Sequence, residues 1–86
     1  MNTFRALYNV HSFVVQRLDG QNASFMREFK RRFEGVCQTA NVPPLPRDWS
    51  GVSLSDNLPP NAERQLGELC NWLKKENPEF ESEFHL

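Results

Sequence analysis

Apolar residues recur along residues 22–40 at the spacing of a helix that buries one side. Phe25, Met26, Phe29, Phe33, Val36 and Cys37 fall, at roughly 100° per residue, within an arc of about 120°. Arg27, Glu28, Arg31, Arg32 and Glu34 take the remaining face, with Lys30 at its edge. No other segment has so apolar a surface, and the rest of the chain must cover it. Phe29 and Phe33 are therefore expected at the centre of the core.

Residues 2–18 carry a second helical stripe. Phe4, Leu7, Val14 and Leu18 repeat at three- and four-residue steps, and Tyr8, Val10 and Val15 widen it. Asn2 or Thr3 is suited to cap its start. His11 lies within the stripe, whereas Phe13 projects from the opposite side. The β-prone run Phe13-Val14-Val15 and the hairpin signal Asp19-Gly20 leave a strand over 12–18 as the competing reading. Helix is preferred because the stripe lasts four turns. Gly20 is expected to supply a left-handed C-cap, and so short a break makes the two helices antiparallel neighbours.

Residues 41–60 hold five of the six prolines and show no period. Pro43, Pro44 and Pro46 forbid helix and favour extended chain. Trp49, Val52 and Leu54 are expected to pin this crossover to the helices. A third helix over 60–76 starts on proline, a residue suited to the first helical position. Ala62, Leu66, Leu69, Cys70 and Leu73 form its narrow stripe, and Trp72 stands off the edge. Asn77-Pro78-Glu79 reads as a stop and a fresh start, leaving a short acidic, aromatic tail over 78–86. The fold class predicted is all-α: a single three-helix domain with a pinned crossover.

Composition changes this picture little. Eighty-six residues allow one domain near the lower size limit, and seven phenylalanines with two tryptophans favour a real core over disorder. The net charge of −1 hides an asymmetry. Residues 1–50 carry seven basic and four acidic side chains, while residues 51–86 carry three and seven. The halves are suited to attract one another or separate partners. No apolar run is long enough to span a membrane, and the N-terminus lacks a leader pattern, so a cytoplasmic location is expected. Two cysteines fit a reducing compartment. Asn22-Ala23-Ser24 matches a glycosylation sequon and, without a leader, is read as chance.

Candidate chemistry is sparse. His11, His85, Cys37 and Cys70 are the soft ligands and nucleophiles, and none stands at metal-site spacing. Both cysteines sit within apolar stripes and are read as small buried hydrophobes. No activated nucleophile, carboxylate pair or phosphate loop is visible, so neither an enzyme nor a cofactor is expected. Pro43-Pro44-Leu45-Pro46-Arg47 resembles the proline-rich ligands of WW and SH3 domains. Its brevity favours a structural loop that packs Leu45 and Trp49 on the helices.

Function therefore points to a non-enzymatic protein–protein interaction module: an adaptor, inhibitor or regulatory subunit. Its partner is another protein or a second copy of itself. Phe13, Trp72, Phe80 and Phe84 fall outside the stripes and are the expected contact residues, with Glu79, Glu81 and Glu83 as an acidic rim suited to a basic partner. The competing arrangement folds the tail back over Trp72 and the first helix. The alternative function is nucleic-acid binding through Arg27, Lys30, Arg31 and Arg32. The interleaved Glu28 and Glu34, and the spread of the four cations around the helix, weigh against it.

Overall fold

The computed structural model describes residues 2–20 and 22–84. Three helices form an all-α fold: α1 Phe4–Arg17, α2 Ala23–Ala40 and α3 Pro60–Glu76. A 3₁₀ turn, Pro46–Asp48, interrupts the crossover, and the tail Pro78–Phe84 is two short 3₁₀ turns meeting at a kink at Phe80. His85 and Leu86 lie outside the described residues.

Each helix end has a local cause. At the start of α2, the Asn22 side chain accepts a hydrogen bond from the Phe25 amide at 2.8 Å, satisfying a donor the helix leaves open. At its other end Asn41 adopts the left-handed conformation (φ 62°, ψ 43°). The Val42 amide then bonds the Cys37 carbonyl at 3.0 Å and the Asn41 amide bonds Gln38 at 3.2 Å. This pair of bonds is a Schellman closure, and Pro43 behind it prevents further helix. Gly35 does not interrupt α2. In α3, Pro60 occupies the first helical position, and Lys74 and Lys75 stand in the last turn, where they favour the helix dipole.

α1 departs from the expected capping at both ends. Gly20 is not left-handed; the helix ends on Leu18 (φ −118°, ψ 8°), which remains buried. Thr3 holds the N-cap position without a side-chain bond. Instead, the amides of Phe4 and Arg5 donate to the carbonyls of Asp56 and Leu54 at 3.0 and 2.8 Å. Thr3 pairs with Asn57 in an isolated antiparallel bridge, and the Leu58 amide donates to Asn2 at 2.9 Å. The crossover itself thus caps α1, meeting the demand that exposed helix-end amides find partners. Through 12–18 the chain is helical to Arg17. Burial of Val14 and Leu18 on the stripe outweighs the β preference of Val14 and Val15.

One continuous core joins the three helices to Trp49 and Leu58 of the crossover and Phe84 of the tail. Trp49 is buried, donates its indole N–H to the Pro43 carbonyl at 2.6 Å, and meets Phe4 edge-on at 6.1 Å. Val52 and Leu54 are partly buried against the same core. The radius of gyration is 12.1 Å, against roughly 12 Å expected of a compact chain of this length, so the crossover does not project as a linker. Close backbone packing is concentrated between α2 and α3 and between α3 and the tail. Ring contacts join α1 to α2, with His11 4.8 Å from Phe33 and 6.2 Å from Phe29.

Candidate functional site

Of the aromatic residues expected to form an outward patch, Phe84 is buried, at 1% exposure, and Phe13, Phe80 and Trp72 are half-buried in contacts within the molecule. The Phe13 ring stands edge-on to Phe80 and Phe84 at 5.4 and 5.2 Å, and the Arg17 guanidinium lies 5.5 and 5.6 Å from the Phe13 and Phe80 rings. The tail has folded back over α1. Trp72 is covered by other residues: it stacks on Phe25 at 5.2 Å with 12° between planes, and the Arg32 guanidinium sits 4.9 Å from its centre. Helical projection places Phe13 and Trp72 off their stripes correctly, but it contains no information about which segment returns to cover them. Glu79, Glu81 and Glu83 remain exposed.

The basic cluster of α2 is divided. Glu28 binds Arg31 at 2.6 Å and Arg32 at 2.7 Å. The Arg31 hydrogen bond, ahead of the attraction of both arginines, holds the Glu28 carboxyl below its usual range. Arg32 also faces Trp72. Arg27 and Lys30 stand apart from this network and line a cavity on the α1 side.

That cavity belongs to the groove the sequence did not single out. The large hydrophobic side chains left exposed among the described residues are Tyr8 (41%), Val15 (43%) and Leu45 (41%). All three line one cavity of about 410 Å³, together with His11, Ser12 and Pro46. A second cavity of about 440 Å³ shares His11 and Leu45 with the first and reaches Phe29, Phe33 and Pro44. Together they form a groove between α1, α2 and the crossover. Its charged rim is Arg27, Lys30 and Arg31 on one side and Arg47 on the other, with Glu34 as the acidic residue among them. Tyr8 and Val15 are the residues that appear to the helical pattern as a widening of the core stripe. They lie some 80–100° around the helix from Leu7, on the flank left open, while the Phe13 flank takes the tail.

His11 lies at the meeting point of the two cavities. Burial, then the nearby Lys30 charge, pushes its pKa below the usual 6.5. The folded chain therefore favours neutral His11, and the unfolded chain binds the proton more readily. The stability this residue supports is complete above pH 6.5 and falls as pH drops below it. NMR titration of the His11 ring should give a midpoint under 6.5; a midpoint at or above that value would contradict the half-buried, Lys30-facing placement.

Cys37 and Cys70 are buried and form no disulfide. Burial, aided by Glu34, pushes the Cys37 thiol up to about 12, and burial pushes Cys70 up to about 11 despite Lys74. Neither thiol has the thiolate character that reactivity requires. Thiol reagents should label both slowly in the native protein and rapidly after denaturation. Fast native labelling of either would show that its helix face is open.

Among the described residues no three His, Cys, Asp or Glu side chains converge as a metal site would require, and no helix is long and apolar enough to cross a membrane. The class of protein defined is a small all-α domain, and its described residues include an apolar, basic-rimmed groove. Comparison with family models, curated proteins and solved structures finds no match to this chain.

Proposed function

We propose that the protein is a non-enzymatic protein–protein interaction module, an adaptor, inhibitor or regulatory subunit, whose partner docks in the groove of α1, α2 and Pro44 to Arg47. One observation carries this reading: Tyr8, Val15 and Leu45, the large hydrophobics that the fold leaves exposed, gather around a single concavity. Scattered exposed hydrophobes are ordinary, but apolar residues collected in a groove with a polar rim mark interaction surfaces. The other flank of α1 also holds a cavity, of about 470 Å³, but Asn9, Ser12, Gln16, Arg17 and Glu83 make much of its lining polar, and the large hydrophobics there are covered by the tail.

Leu45→Asp tests the proposal. The residue is exposed on the crossover, so the substitution should leave stability within about 0.5 kcal/mol. A host protein retained by the immobilised chain, purified, and shown by calorimetry to bind directly should bind the variant at least about 10-fold more weakly. Equal binding by both would remove the groove from the interaction. If binding instead fails when Glu79, Glu81 and Glu83 are replaced by Gln, the exposed acidic face of the tail is the docking surface and the partner is basic.

A further inference from the structure

We infer that the groove's occupant is an acidic amphipathic helix: a partner segment with one apolar stripe, flanked on both sides by Asp or Glu. The inference rests on the interaction-module reading and specifies its partner. The shape of the groove argues for a helix. On α1, Tyr8, His11, Ser12 and Val15 stand at i, i+3, i+4 and i+7, a row about 10 Å long at 1.5 Å per residue. A neighbouring helix covers such a row with its own residues at the same spacing.

The facing wall has no continuous backbone edge to offer. Pro44 and Pro46 have no N–H to donate. The Leu45 and Pro46 carbonyls already accept from Asp48 and Trp49 at 2.9 and 3.0 Å, and the Pro43 carbonyl is taken by the Trp49 indole. The α1 backbone is bonded within its own helix. With two prolines in the wall and the Pro43, Leu45 and Pro46 carbonyls already engaged, a strand laid in the groove would meet isolated backbone groups and no continuous edge. Most of its own backbone groups would lose water without gaining partners. A helix brings its backbone hydrogen bonds with it.

Charge sets the second half of the inference. Arg27, Lys30 and Arg31 stand on the α2 side and Arg47 on the crossover side, against one lining carboxylate, Glu34. The Arg31 charge is partly met by Glu28 at 2.6 Å, and the Arg47 charge more loosely by Asp48 at 3.9 Å, which leaves Arg27 and Lys30 as the main cations and Arg47 as a weaker one on the opposite rim. Carboxylates on both flanks of an apolar stripe match this arrangement, while a basic helix would face repulsion on both sides.

The test uses three synthetic peptides of about five turns, titrated into the isotope-labelled 86-residue chain and followed by NMR. The first carries leucines on one helical stripe and glutamates elsewhere. The second has lysine for every glutamate, and the third is the first in scrambled order. The acidic striped peptide should shift Tyr8, His11, Val15 and Leu45 saturably, and bind at least about 10-fold tighter than the lysine version. Lys30→Glu with Arg47→Glu, at unchanged melting temperature, should remove that advantage. Equal binding of the lysine version at the same residues overturns the acidic class and leaves the groove as the interaction site. Equal binding of the scrambled peptide overturns the helix alone. If no peptide shifts the groove residues, both the occupant and the groove fall. Self-association abolished by Leu45→Asp, or an RNA duplex that displaces the acidic peptide, would assign the groove to a second copy or to nucleic acid and overturn the inference.

Discussion

Phe33→Ala is expected to cost about 3–5 kcal/mol, the range for truncating a fully packed phenylalanine. Phe33 is 2% exposed, its ring lies 5.7 Å from Phe29 and 4.8 Å from His11, and it sits on the helix that the rest of the chain covers. The cavity would open under the groove, where Phe33 joins α2 to His11 of α1. Collapse to fill it would require α1 to shift relative to α2, against the hydrogen bonds that tie Phe4 and Arg5 to the crossover. Since small domains hold only about 5–15 kcal/mol in total, much of the variant should be unfolded at physiological temperature. The melting temperature should fall by more than about 10 °C. Phe33→Leu, which keeps most of the volume, should fall much less. A Phe33→Ala protein that melts within a degree or two of the parent would mean that the core face of α2 is misassigned.

Removal of residues 78–86 is the second large effect expected. Phe84 is fully buried, Phe80 packs against the core, and both contact Phe13. Asn77, 2% exposed, ends α3 with its amide and side-chain nitrogen both directed to the Leu73 carbonyl, and its own carbonyl accepts from Phe80. Truncation would expose the Phe13 flank of α1 and the side of α3 on which the tail packs. Loss of Phe84 alone is worth about 3–5 kcal/mol, so the deletion should lower the melting point by many degrees, and Phe84→Ala should reproduce most of the fall. A truncated chain as stable as the parent would show that the tail is not part of the core, and would return Phe13, Phe80 and Phe84 to consideration as a binding surface.

The helices were legible in the sequence because they depend on local information. The 60–76 boundaries, the Asn22 start and the Asn41 stop rest on proline, asparagine and the spacing of apolar residues, each of which acts within one or two turns. Phe29 and Phe33 could be placed in the core because α2 has only one apolar face. Gly20 shows the limit of such reasoning: a left-handed cap was available there, but the chain turns after Leu18 without it. The Thr3 cap failed for a different reason: of the amides its side chain could serve, Arg5 donates to the Leu54 carbonyl 49 residues away and Ala6 to the Thr3 carbonyl.

The sequence by itself determined the all-α class, the three helical segments, the core face of α2 and the burial of both cysteines. Tertiary structure alone decided which flank of α1 is covered. Periodicity ranks residues by their angle around a helix axis, and Phe13 on one flank and Tyr8 and Val15 on the other both fall away from the Leu7 and Val14 centre. Which flank stays open depends on where the tail and the crossover come to rest, and those placements follow from long-range contacts: Phe84 on Phe13, and Leu54 and Asp56 on the first turn of α1. The groove around His11 is lined by α1, α2 and the crossover together, so it could not be read from any one segment.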